Sequence, residues 1–170
     1  MFRFAEKLNI QPVLKAQPLT SDGTLQSAYT HLDQVNWLTY VIPLGDFATT
    51  AAADKVTFTV ECSTAAASNA TEVKVPFRYR LTGMPTANTI GAITSVAASV
   101  GAVVTGTANN GAILLIDVDP AEAYATHAQA DSAFVRLVMT AAGADGRLAG
   151  VSAHAVIEPR YPGNTHVSVT

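Results

Sequence analysis

The chain has 170 residues, 49% of them apolar and only 14% charged, which suits one domain with a real core and excludes a disordered, charge-rich polymer. Its formal net charge is −3 and its Lys and Arg residues are scattered, which excludes the clustered basic footprint of a nucleic-acid binder. A single cysteine rules out a disulfide framework, and no apolar run approaches the ~18 residues of a membrane span.

Residues 1–24 read as an N-terminal arm. "FRFAEKLN" has the makings of one or two helical turns, and its charges set it apart from a signal peptide. Pro12 and Pro18 then bracket extended chain, because proline disfavours helix in the residue before it. "SDGT" at 21–24 is turn chemistry. "LQSAYTHL" (25–32) and "VNWLTYVI" (35–42) are strands, the second ended by Pro43, Gly45 and Asp46. In "DKVTFTVECS" (54–63), Val56, Phe58, Val60 and Cys62 alternate with Thr57, Thr59, Glu61 and Ser63, the period of a half-buried strand.

"TEVKVPFRYRL" (71–81) alternates again but contains Pro76, which cannot donate to a ladder and so marks an edge strand or a bulge. "IGAITSVAASV" (90–100) is ambiguous between strand and loosely ordered chain. Asn110-Gly111 sits between two apolar runs and predicts a hairpin with a type I′ turn. In "DVDPAEAYATHAQ", Asp119 as cap, Pro120 as first helical residue and Glu122 predict a short helix from about Pro120 to His127. "SAFVRLVMTA" (132–141) and "LAGVSAHAVIEPRY" (148–161) are the last strands, followed by a β-prone tail. The result is an all-β fold: an antiparallel β-sandwich of jelly-roll type over residues 25–162, with one short helix, the N-terminal arm and a C-terminal tail at 163–170.

The chemistry-bearing residues do not converge in sequence. Cys62 lies on the apolar face of its strand, where a thiol behaves as a small hydrophobe, and Glu61 points the other way. His31, His127, His154 and His166 have no metal-ligand spacing. Asp117 and Asp119 share a strand face, as calcium ligands or an acid–base pair do, but Asp119 also serves as the helix cap. No nucleophile elbow or phosphate loop is present, so the expectation is a non-enzyme with no catalytic residues, cofactor or metal. Arg78, Arg80, Arg136 and Arg160, with Tyr161, are the candidate partner contacts, because the planar guanidinium makes paired bonds at interfaces; a solvated surface is the plain alternative. Trp37, Tyr40, Phe77 and Tyr79 are interface anchors or core.

Four stretches together carry a family resemblance. They are "AEKLNIQPVLKAQ"; "VNWLTYVIPLGDF" followed by "KVTFTVECSTAAASNATEVKVPFRYRL"; "LLIDVDPAEA"; and the strand pair "AFVRLVMTAAG" and "LAGVSAHAVIEPRYP". Over residues 5–162 the chain resembles virion structural proteins of tailed bacteriophages that cement or decorate a capsid. The resemblance implies a protein made in the host cytoplasm and carried on the capsid surface. Its implied partners are the major capsid protein and copies of itself, in a homo-oligomer on a symmetric lattice, with no direct contact to nucleic acid or membrane. A tail, collar or head-to-tail connector component is the alternative within the virion. A carbohydrate-binding β-sandwich, stacking sugars on Trp37 or Tyr161, is the alternative outside that class.

Overall fold

The computed structural model describes residues 8–33, 35–47, 55–66, 72–83, 90–106, 109–126, 134–142 and 148–160. The elements in order are β1 (Asn9–Leu19), β2 (Thr24–Gln26), β3 (Thr30–His31), β4 (Val35–Pro43), β5 (Lys55–Ser63), β6 (Val73–Val75), β7 (Phe77–Thr82), β8 (Thr94–Val96), β9 (Ala102–Thr105), β10 (Ile113–Val118), α1 (Pro120–Thr126), β11 (Phe134–Ala142) and β12 (Leu148–Pro159). They form two antiparallel sheets. The first runs β1-β12-β4-β10-β7-β8 and the second β2-β11-β5-β6, with β3 on β11 and β9 on β5. The protein is an all-β sandwich.

The core is made by period-two alternation. Val56, Phe58, Val60 and Cys62 of β5 are all fully buried, as their spacing predicts. They meet Leu38, Tyr40 and Ile42 of β4 and Leu114 and Ile116 of β10, which alternate in the same way on the opposing sheet. Tyr40 spans the gap between sheets: its side chain leaves β4 and its hydroxyl donates to the Val135 carbonyl on β11 at 3.4 Å. The expectation that β5 is half-buried needs one correction, since Thr59 and Ser63 on its outer side are buried too.

The chain changes sheet at most of its connections. Pro76 marks one of these changes. β6 pairs with β5 in the second sheet, whereas β7 pairs with β10 and β8 in the first. Proline's missing N–H ends one ladder where the chain turns the corner into the other. The hairpin expected at Asn110-Gly111 does not form, because β9 pairs with β5 and β10 with β4 and β7. Gly111 does adopt a positive φ of 69° there, as a tight turn asks. The Asn110 side chain, however, accepts the Phe47 N–H at 2.8 Å and fixes the turn as a sheet-to-sheet crossing. Local turn chemistry was legible; the partner of each flanking strand is set by the tertiary fold.

The helix forms as its cap predicts. Asp119 Oδ1 accepts the Ala121 N–H at 2.8 Å and the Asp119 carbonyl accepts the Ala123 N–H at 3.1 Å. Ala123 is buried and Tyr124 packs on the core, so α1, which follows β10 in the chain, packs against β4 of the first sheet and β6 of the second. Most of the expected N-terminal arm is extended chain of another kind: β1 lies along β12 as the edge of the first sheet and buries Val13, Leu14 and Leu19. Adjacent Val13 and Leu14 both point inward because the register slips between Pro12 and Leu14, and that bulge hides the alternation from the sequence. The expected N-terminal helical turns, His127 and the tail at 163–170 lie outside the described residues.

Candidate interaction surface

The candidate arginines are placed on three separate parts of the molecule. Arg136 is on the outer side of the second sheet. Arg78 and Arg80 are on the outer side of the first. Arg160 is exposed just past the end of β12. Tyr161 lies outside the described residues.

Arg136, one of the candidate partner contacts, is buried and paired within the fold. Its side chain is 6% exposed and pairs with Glu61 and Glu72. Nε and Nη2 donate to Glu61 Oε2 at 3.2 and 3.0 Å, and Nη1 donates to Gln26 Oε1 at 3.0 Å. Nη2 also lies 2.5 Å from Glu72 Oε1. The Tyr29 hydroxyl donates to that same oxygen at 2.7 Å, while the Tyr29 ring lies 5.1 Å under the guanidinium. Five segments of chain thus meet at one guanidinium: β2 through Gln26, the β2–β3 connection through Tyr29, β5 through Glu61, the residue before β6 through Glu72, and β11 itself.

The register explains half of this network. Arg136 stands directly opposite Glu61 in the β11–β5 ladder, so two polar-face charges of opposite sign become cross-strand neighbours. That pair was available from sequence once the strands were paired. Tyr29 and Glu72 were not, since nothing in their spacing brings them near Arg136. Burial and the bond to Glu72 push the Tyr29 hydroxyl up to about 12, with Arg136 pulling the other way, so it stays a protonated donor.

The outer side of the first sheet mixes charged, polar and apolar side chains. The register aligns Thr39, Asp117 and Arg78 in one row across β4, β10 and β7. The Thr39 hydroxyl donates to Asp117 Oδ1 at 2.6 Å. Arg78 is exposed and holds its guanidinium 5.9 Å over the Trp37 ring, and Arg80 is half-buried one step along the same strand face. His154, half-buried, stands opposite Val41 on this face. Of the four aromatic candidates, Tyr40 and Phe77 are core, Trp37 is on this outer face and Tyr79 is half-buried.

Among the described residues, the other candidate groups have separate surroundings. Cys62 is fully buried, and burial pushes its thiol up to about 11 against a weaker pull from the Ser63 backbone. Asp117 serves Thr39 while Asp119 caps the helix, so the two carboxylates have separate partners. His31 stacks on Phe134 with ring centres 4.5 Å apart. Among the described residues no group of three or more His, Cys, Asp or Glu side chains is arranged to hold a metal ion.

Neither models of known protein families nor the sequences of curated proteins match this chain. The phage resemblance therefore rests on the quoted stretches alone.

Proposed function

We propose that the chain is a non-enzymatic virion structural protein, a capsid cement or decoration protein that bridges major capsid protein subunits from the capsid surface. The observation that carries this reading is the outer side of the first sheet, where exposed Arg78 lies over Trp37 and Arg80 follows two residues along the same strand face. A face with arginines and an aromatic suits a partner with acidic groups, since arginine forks pair with carboxylates and aromatics anchor interfaces. Groups with catalytic potential are committed elsewhere: Cys62 to the core, Asp119 to the helix, Glu61 and Glu72 to Arg136. The two-layer fold supports the same reading, and jelly-roll wiring stays part of the proposal because the chain alternates between sheets at most connections.

Adhesion is the mechanism. Each copy contributes a modest contact, and many copies on one lattice act together through high effective concentration. A tail, collar or connector location uses the same surface in fewer copies. The sugar-binding reading ranks behind both, because the Arg78 guanidinium lies over a face of the Trp37 ring that stacking would need.

The test is co-sedimentation of the purified protein with shells of the major capsid protein. Saturable binding that Arg78→Glu and Arg80→Glu together weaken at least about tenfold supports the proposal. Wild-type protein that stays in the supernatant at every shell concentration removes it.

A further inference from the structure

Of the seven asparagines in the chain, Asn110 alone is followed by glycine. That pair carries a chemistry of its own. A main-chain nitrogen can attack the side-chain carboxamide of the residue before it, and glycine, with no Cβ beside its nitrogen, crowds the attack least. Gly111 N bonds to Asn110 Cγ, the Cγ–Nδ2 bond breaks, and Nδ2 leaves as ammonia with the proton that Gly111 N gives up. Water then opens the cyclic imide on either side. Opening at Cγ leaves an aspartate with the main chain unaltered. Opening at the main-chain carbonyl carbon routes the chain through Cβ and Cγ, as an isoaspartate.

The fold holds this pair in a closed turn. The Ala112 N–H donates to the Asn109 carbonyl at 3.2 Å, and exposed Gly111, with φ 69°, takes the third turn position, where a positive φ favours glycine. The Asn110 side chain is half-buried and tied to a distant segment. Its Oδ1 accepts the Phe47 N–H at 2.8 Å, and the Ala112 carbonyl accepts the Leu44 N–H at 2.9 Å. Attack needs Asn110 Cγ seated on Gly111 N, and a reacting pair held slightly out of position loses much of its rate. These bonds restrict the rotations that bring the pair together, so ring closure waits for the contact to open. Asn109 is the internal comparison: its Nδ2 donates to the Thr105 carbonyl at 2.6 Å, and the residue after it carries a side chain.

We propose that Asn110 is a site of self-modification to aspartate and isoaspartate, and that the bond from the Phe47 N–H is the brake on it. Conversion is slow while that contact holds and is released when the contact opens, locally or by unfolding. The two products act differently on the fold. Aspartate keeps an oxygen for the Phe47 N–H and adds one negative charge to the chain's −3. Isoaspartate puts an extra main-chain carbon inside the closed turn and shortens the side chain that reaches Phe47. Turn closure and the tie to Phe47 are then disrupted, and with them the crossing between β9 and β10. The turn is thus an ageing point of the fold. The inference stands on these contacts and does not depend on the virion reading.

The test holds the purified full chain in mildly alkaline buffer, folded or in concentrated guanidinium chloride. Peptides containing Asn109 and Asn110 are sequenced by mass spectrometry over time, reading the exchange of amide for acid and the two isomers. The denatured chain is expected to convert at Asn110 ahead of Asn109, and the folded chain at least about tenfold more slowly. Gly111→Ala, measured denatured so that its folding does not matter, should slow conversion at least about tenfold, because its Cβ crowds the nitrogen. Asn110→Asp, which keeps the acceptor for Phe47, should melt close to the wild type, and Asn110→Ala below both. A folded rate within about tenfold of the denatured one would overturn the proposal. So would a denatured chain that converts Asn109 first, denatured conversion indifferent to Gly111→Ala, or Asn110→Asp melting no higher than Asn110→Ala.

Discussion

Arg136 and Glu61 face each other across β11 and β5, and two guanidinium nitrogens converge on one carboxylate oxygen at 3.2 and 3.0 Å. With Glu72, Gln26 and Tyr29 gathered on the same guanidinium, this is the polar keystone of the second sheet. Removing the arginine strands two carboxylates that keep only 15% and 23% of their exposure. Arg136→Met should therefore cost about 3 kcal/mol in a urea titration, the low end for breaking a buried pair. Adding Glu61→Gln and Glu72→Gln to the same chain should restore part of that loss, because the stranded charges are then gone.

Tyr29 gives the network a signature in alkali. Its hydroxyl is raised from 10 to about 12, so the folded state holds this proton more tightly than the unfolded chain does. The stability linked to it is complete below pH 10 and drains away as the pH climbs from 10 towards about 12. Tyr29→Phe cannot lose that proton. The stability difference between wild type and Tyr29→Phe should shrink over this interval, measured by denaturant melts at stepped pH.

The Cys62 thiol should be chemically silent in the folded protein. It is fully buried and its raised pKa, about 11, leaves little thiolate near neutrality. A chromogenic disulfide reagent at about pH 8 should react slowly with native protein and take up one equivalent promptly in denaturant. Prompt reaction without denaturant would place the thiol at the surface.

Gly101 and Gly150 should respond oppositely to alanine. Gly101 has φ 76°, and a Cβ there would sit 2.9 Å from the Phe58 carbonyl oxygen and 2.8 Å from Thr57 Cγ2. Gly101→Ala should cost at least about 1 kcal/mol from the left-handed backbone alone, with crowding added. A Cβ on Gly150 meets nothing within 4 Å, so Gly150→Ala should change stability by less than about 0.5 kcal/mol. Thermal melts of the two variants compare them directly.

The readability of this chain follows the range of the interaction concerned. Alternation in β5 and β4 and the Asp119 cap depend on neighbours a few residues away, and each was legible. Pro76 reads as an interruption from sequence alone, but its role as a corner between sheets depends on partners elsewhere. Asn110-Gly111 shows the same limit, since the turn is present and the hairpin is not. For the candidate surface, Arg78 and Arg80 lie on the outer strand face that their spacing assigns. Arg136 also lies on its assigned polar face, yet the β2–β3 connection brings Tyr29 over it and turns an apparent surface charge into a buried one. That packing involves residues more than a hundred positions apart, which no local pattern encodes.

The proposed place in the capsid shell is tested most directly by the copy number of the protein in purified particles. Quantitative mass spectrometry of mature virions, scaled to the major capsid protein, should return on the order of hundreds of copies per particle, as lattice decoration requires. About six or twelve copies would move the protein to a tail or portal ring, and its absence from purified particles would contradict the account outright.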